Sequence, residues 1–162
     1  MATYTRSVRV AAPLDAVWEF HSGIGGLEAL TPDWMNMVVE DVRGPEGEPD
    51  PEVLETGSVA VTSVRPLNVG PRQRWTSEII EREREDNAAR FVDEMTDGPF
   101  AEWEHTHLFY ADGEETIVCD RVEYAFPGGG VGRAVSPLGW VGFEPMFRYR
   151  HRKTRELLEG GH

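Results

Sequence analysis

The chain has 162 residues, enough for one domain with a sizeable core and too few for two ordinary ones. Its 40 % hydrophobic and 10 % aromatic content excludes a disordered chain. A net charge of −13, from 29 acidic and 16 basic residues, argues against nucleic acid as a partner, because phosphate binding needs a basic surface.

Lys153 is the one lysine beside 15 arginines. Such an acidic, lysine-poor surface is expected of a cytoplasmic protein in a halophile, where salt screens like charges within about 3 Å at 1 M. A merely acidic, arginine-biased protein from a GC-rich genome is the alternative. Cys119 is alone, so no internal disulfide forms, and a reduced cytoplasm fits. Met1 to Arg6 lacks the basic and then apolar pattern of a signal peptide, and Gly128 to Phe143 is too short and broken for a membrane span.

Tyr4 to Val10 sets Tyr4, Val8 and Val10 against Thr5, Ser7 and Arg9, which predicts a first strand. Pro13 suits a first helical position, and Leu14, Val17, Trp18 and His21 follow at helical spacing. Ile24 to Leu30 predicts a second short helix, stopped at Thr31-Pro32. Met37 to Val42 is the second strand, and Gly44 to Pro51 an acidic loop. Gly57 to Val64 and Arg72 to Arg84 are the third and fourth strands, with Trp75, Ser77 and Ile79 on one face. The loop between them, Pro66 to Pro71, can line a cavity mouth or serve only as a connector. After Glu85-Asp86-Asn87, a fifth strand from Ala89 to Thr96 places Phe91, Asp93 and Met95 on one side, expected to face inward.

Asp97-Gly98-Pro99 is a turn signal, and the strand after it carries Trp103, His105, His107 and Phe109 on one face. Two histidines therefore lie inside a sheet between aromatic rings. A hairpin signal at Asp112-Gly113 leads to Thr116–Phe126, where Val118, Asp120, Val122 and Tyr124 face inward and Cys119 outward. A two-residue loop at Asp112-Gly113 sets Asp120 opposite His105, and a four-residue loop through Glu115 sets it opposite His107. In either register a carboxylate meets an imidazole, the partner that an inward Asp120 needs.

Pro127 to Gly132 has neither a Gly-Lys-Ser/Thr sequence nor dinucleotide spacing, which excludes nucleotide binding there. A last helix is predicted from about Glu144-Pro145 to Glu159. Its buried stripe would hold Phe143, Met146, Phe147, the stem of Arg150, Thr154, Leu157 and Leu158. Pro137 and Pro145 are expected to shorten or break it. Arg148, Arg152, Lys153 and Arg155 suit the helix dipole and pairing with an acidic body rather than anion binding.

A strand, two short helices, a run of six strands and a C-terminal helix predict an α+β fold. Ala12-Pro13 with Val17-Trp18 and Phe20, Phe91 to Glu94, Gly98-Pro99-Phe100 with Trp103, His105, His107 and Phe109, then Asp120, Val122, Tyr124 and Pro127, and Phe147 with Tyr149, Arg150 and His151 carry a resemblance over nearly the whole chain. The chain resembles the START-like, birch-pollen-allergen-like helix-grip superfamily, in its polyketide cyclase/dehydrase-like branch often labelled SRPBCC. That resemblance implies one domain over residues 1–162, with a curved antiparallel sheet of about seven strands wrapped round a long C-terminal helix. It also implies a cavity between them for a hydrophobic or amphipathic small molecule. Such folds include carriers as well as aromatase/cyclases, so fold alone does not choose.

Four readings stay open. The first is a binding pocket walled by Trp75, Phe91, Trp103, Phe109, Tyr124, Met146 and Phe147, with His105, His107 and Asp120 as polar anchors. The second is a cyclase/dehydratase-like enzyme in which His105 or His107 is the acid/base, Asp120 orients it and Tyr124 donates to an oxyanion. The third is a metal site, since two histidines at i and i+2 with a carboxylate can supply three ligands; no metal or cofactor is assigned. The fourth is a hydrogen-bond network that only fixes strand register.

Overall fold

The computed structural model describes residues 2–159. Seven strands make one antiparallel sheet: β1 (Ala2–Val10), β2 (Val38–Arg43), β3 (Val59–Val64), β4 (Gln73–Arg84), β5 (Ala88–Asp97), β6 (Glu102–Asp112) and β7 (Glu115–Ala125). The spatial order is β1-β7-β6-β5-β4-β3-β2, so each strand from β2 to β7 lies beside its sequence neighbour and the first strand closes against the last. Between β1 and β2 lie α1 (Leu14–His21) and α2 (Ile24–Leu30), and after β7 come α3 (Gly129–Val135) and α4 (Trp140–Glu159). This is the helix-grip architecture: a curved sheet with short helices after its first strand and a long helix at the C-terminal end.

Alternation along the central strands decides which side is the interior. In β6, Trp103, His105, His107 and Phe109 are buried; in β7, Val118, Asp120, Val122 and Tyr124 are buried. On β5, Ala89 and Phe91 join the core and Phe91 stacks on His107, which sets that strand's inward side although Val92 is buried as well. Two apolar clusters result, one joining Phe91, Phe109 and Val118 to Leu14 and Val17 of α1. The other joins Trp103, Val122 and Tyr124 to Phe143 and Phe147 of α4. His105 and His107 lie between these clusters on β6.

The β6–β7 hairpin pairs Asp112 with Glu115 and His107 with Asp120, the second of the two predicted registers. Its connection is nevertheless only Gly113-Glu114, with Gly113 at φ +62°, a value that favours glycine. The C-terminal segment differs more from expectation. Pro137 lies in a 3-10 turn, Ser136–Gly139, that separates α3 from α4. Pro145, expected to break the last helix, sits inside an uninterrupted α4 that begins at Trp140. The carbonyl its ring leaves without an N–H partner is that of Val141, a residue 61 % exposed, where water can replace the lost bond.

On α4 the buried positions are Phe143, Phe147, His151 and Thr154, whereas Leu157 is exposed. The basic run pairs chiefly within its own helix, Arg148 with Glu144, Arg152 and Lys153 with Glu156, and Arg155 with Glu159, rather than with the acidic body. Among the described residues no helix is long and apolar enough to cross a membrane.

Candidate functional site

Strands β5, β6 and β7 are neighbours, so their inward polar residues must meet. The backbone ladder places Asp93 opposite His105 and Asp120 opposite His107. The hydrogen bonds run diagonally instead. His105 Nε2–H donates to Asp120 Oδ1 at 2.7 Å, and His107 Nε2–H donates to Asp93 Oδ2 at 2.7 Å. The in-register contacts are longer, 3.9 Å from His105 Nδ1 to Asp93 and 3.5 Å from His107 Nδ1 to Asp120. The two imidazoles stack with centroids 3.6 Å apart, and Phe91 continues the stack at 3.8 Å from His107. Stacking holds each ring flat against its neighbour and aims its edge across to the diagonal carboxylate.

Asp120 has a second partner that the strand pattern does not disclose. His151 on α4 directs Nε2–H to Asp120 Oδ2 at 2.5 Å, while Arg6 on β1 directs Nη1–H to His151 Nδ1 at 2.7 Å. Arginine has no acceptor, so His151 Nδ1 must accept and its proton must lie on Nε2. Arg150 Nε lies 3.8 Å from Asp120 Oδ1, an ion pair without a hydrogen bond.

Burial alone would raise the Asp120 carboxyl, but the bonds from His105 and His151, with Arg150 nearby, outweigh it and hold Asp120 well below the usual carboxylate range. Burial also opposes the Asp93 charge, and its bond from His107 with the neighbouring His105 brings it below the usual range. Burial, followed by the adjacent His105 ring, pushes His107 down to about 3. The neutral ring therefore carries its proton on Nε2, and Nδ1 is a lone pair without a hydrogen-bond partner among the described residues. His21 on α1 gives Nδ1–H to the Val17 carbonyl at 2.8 Å, and burial, then Arg150, pushes it down to about 4.

A cavity of about 200 Å³ opens beside this cluster, between the sheet, α2 and α4. Most of its wall is apolar, with Leu27 and Leu30 from α2, Val64, Trp75 and Ile79 from β3 and β4, and Met146 and Phe147 from α4. A carboxylate, two imidazoles and a guanidinium gather towards β5, β6 and α4, from Asp93, His105, His107 and Arg150, while the hydroxyls of Thr31, Ser58, Thr62 and Ser77 are scattered over the rest of the wall. Of the residues singled out by sequence, Trp75, Phe91, Trp103, His105, His107, Met146 and Phe147 line this space.

Phe109, Asp120 and Tyr124 do not line it. Phe109 packs against Trp18 and His21 under α1. Asp120 lies behind the histidines on β7. Tyr124 donates its hydroxyl to the Ser136 carbonyl at 2.6 Å, which leaves no proton for an oxyanion. None of residues 66–71 reaches the wall, so that loop is a connector and not a cavity mouth. His21, His151 and the head of Arg150 were not assigned to the site from sequence. Their signal was helical spacing, since His151 falls on the stripe of Phe143, Phe147 and Thr154.

Asp93, His105 and His107 each offer one ligand atom, all within 4.8 Å of one another. The two rings are stacked with an interplanar angle of 26°. Each Nε2 is also a donor to a carboxylate, so the geometry suits proton sharing better than coordination.

A model of the family described as polyketide cyclase / dehydrase and lipid transport matches residues 1–159. The chain belongs to that family. No curated protein matches it. Among solved structures, this polyketide cyclase / dehydrase and lipid transport family member is similar to norcoclaurine synthase from Thalictrum flavum in complex with dopamine and hydroxybenzaldehyde. The TM-score is 0.67 at 17 % identity, over 99 % of this chain and 88 % of that one. It is similar to the ZhuI aromatase/cyclase from a Streptomyces species, at TM-score 0.66 and 16 % identity over 98 % and 93 % of the two chains. A protein from Thermus thermophilus matches at TM-score 0.63 and 19 % identity over 98 % of each chain. At such identities the likeness shows the shared fold, and the chemistry of this family member rests on its own residues.

Proposed function

We propose that the protein binds a small hydrophobic or amphipathic molecule in the cavity between the sheet, α2 and α4. The observation that carries this reading is the cavity itself, about 200 Å³ with a mainly apolar wall and Asp93, His105, His107 and Arg150 gathered at one end. A cavity of about 150 Å³ suffices for benzene, so the occupant is the size of one ring with a short chain. Membership of the family supports binding or cyclisation without choosing between them. Native mass spectrometry of protein purified from its own host, followed by denaturing extraction, tests the reading. A stoichiometric organic molecule is expected in the wild type and absent from Ala60→Phe, which fills the wall. A folded wild type that carries none, and takes up no small aromatic on titration, overturns it.

Catalysis is the second reading, favoured by the His105 and His107 imidazoles on the cavity wall, each hydrogen-bonded to a carboxylate. A histidine held by a carboxylate on Nε2 can take a proton from carbon beside a carbonyl at Nδ1 and return it to a departing hydroxyl, which leaves as water. His105 is the candidate acid/base and Asp120 the group that orients it. Turnover of a bound poly-carbonyl compound that is lost in His105→Asn, with binding retained, would support this reading. Equal turnover in that variant would end it.

A further inference from the structure

Besides the His107 Nδ1 lone pair, the polar end leaves one donor without a partner among the described residues, Arg150 Nε. The Arg150 side chain is 13 % exposed, it lines the cavity, and its Nε is buried without a hydrogen-bond partner among the described residues. A guanidinium carries five N–H donors and no acceptor, and leaving such a group without acceptors away from water is costly. Neighbouring carboxylates do not meet this demand. Asp120 already receives Nε2–H from His105 and from His151, and lies 3.8 Å from Arg150 Nε without bonding to it. Asp93 is held by His107. Among the described residues that line the cavity, Arg150 is the one arginine or lysine.

We infer that the ligand is a monoanion, a single-ring or short-chain carboxylic acid whose carboxylate is received by Arg150 while its apolar body lies against Trp75, Trp103 and Phe147. This inference rests on the proposed binding role and specifies its ligand class. A planar fork of donors matches a carboxylate in bidentate fashion, which a neutral alcohol cannot reproduce. A single cation suits one negative charge, and the small cavity suits a ligand of roughly ten to twelve non-hydrogen atoms.

The test is isothermal titration at pH 7 with three probes of one skeleton: 3-phenylpropanoate, 3-phenylpropan-1-ol and 3-phenylpropylamine. The acid is expected to bind about tenfold to a hundredfold more tightly than the alcohol, the range of a hydrogen bond to a charged group. Arg150→Met is expected to remove that preference while alcohol binding remains, and Arg150→Lys to keep part of it. Circular dichroism establishes that each variant is folded, and should Arg150→Met fail to fold, the lysine variant and the wild-type probe series carry the test. Alcohol or amine bound as tightly as the acid overturns the inference and leaves hydrophobic binding intact. Undiminished acid preference in Arg150→Met also overturns it. No binding of any probe by folded protein overturns both the inference and the binding role.

Discussion

Replacing Asp120 by asparagine perturbs the point where β6, β7 and α4 are tied together. The wild-type carboxylate accepts two imidazole N–H bonds, from His105 and His151, and lies in the field of Arg150. An asparagine oxygen can keep one of these bonds, but its amide then faces the other N–H as donor to donor. Hydrogen bonds to a charged group contribute about 1.5–3 kcal/mol each, and breaking a buried charge pair costs about 3–5 kcal/mol. We expect Asp120→Asn to lose about 3 kcal/mol at pH 7. With a urea slope of about 2 kcal/mol/M, the unfolding midpoint falls by about 1.5 M.

The pH dependence separates this from a packing defect. Asp120 is held well below the usual carboxylate range in the folded protein, so its stabilisation is complete above the unfolded value of about 3.9 and is lost as pH falls through the folded one. Urea titrations between pH 5 and pH 2.5 are therefore expected to be flatter in Asp120→Asn than in the wild type. A loss under about 1 kcal/mol, or parallel acid slopes, would refute the bridging role.

Further outcomes follow from other parts of the molecule. His21 and His107 titrate at about 4 and about 3 when folded, so the unfolded chain takes up their protons first and stability declines as pH falls below about 6.5. Nitrogen-15 imidazole spectra at pH 5.5 should show both rings neutral, with the proton on Nδ1 in His21 and on Nε2 in His107; titration of either near its unperturbed value would count against the burial argument. Phe91→Ala removes the end of the ring stack and should cost about 3–5 kcal/mol. A midpoint shift below a third of that would mean the stack is not a packing unit. Gly139→Ala would set a methyl group 2.7 Å from the Tyr124 ring and its hydroxyl, so a loss of about 1–3 kcal/mol in thermal or urea unfolding is expected. Pro145→Ala should raise the thermal midpoint, because proline inside a helix costs about 3 kcal/mol relative to alanine and its stiffening of the unfolded chain offsets only about 1 kcal/mol. An unchanged midpoint would mean that Pro145 imposes no such cost on α4.

Strand parity made much of this legible in advance. Period two alone puts His105 and His107 inside between Trp103 and Phe109, with Asp120 on the same side, but on β5 it leaves Asp93's side open, since Phe91 and Val92 mark both faces as apolar. It could not show that the hydrogen bonds would cross the ladder, since that depends on how the two imidazoles and Phe91 stack in three dimensions. Apolar spacing on the last helix places Phe143 and Phe147, whereas His151, on the same stripe, is not disclosed by it because histidine does not mark a buried face. Arg150 was credited with an apolar stem, and only the neighbouring strands reveal that its head ends in a cavity. Tyr124 failed as a donor for a reason lying twelve residues away: the turn at Pro137 delivers the Ser136 carbonyl to its hydroxyl.

The two ends of the cavity come from parts of the sheet with different freedom to change. The polar end is built on β5, β6 and β7, each flanked on both sides, and is tied through α4 to Arg6 on β1. The apolar end draws on α2, on Met35 and Met37, and on β3, next to the edge strand β2. Substitutions of Leu27, Met35, Met37 or Ala60 can reshape the volume offered to a ligand without touching any bond of the histidine cluster. Under the proposed binding role, ligand shape is thus free to vary at the edge of the sheet, while the groups that would meet its charge are fixed by the centre.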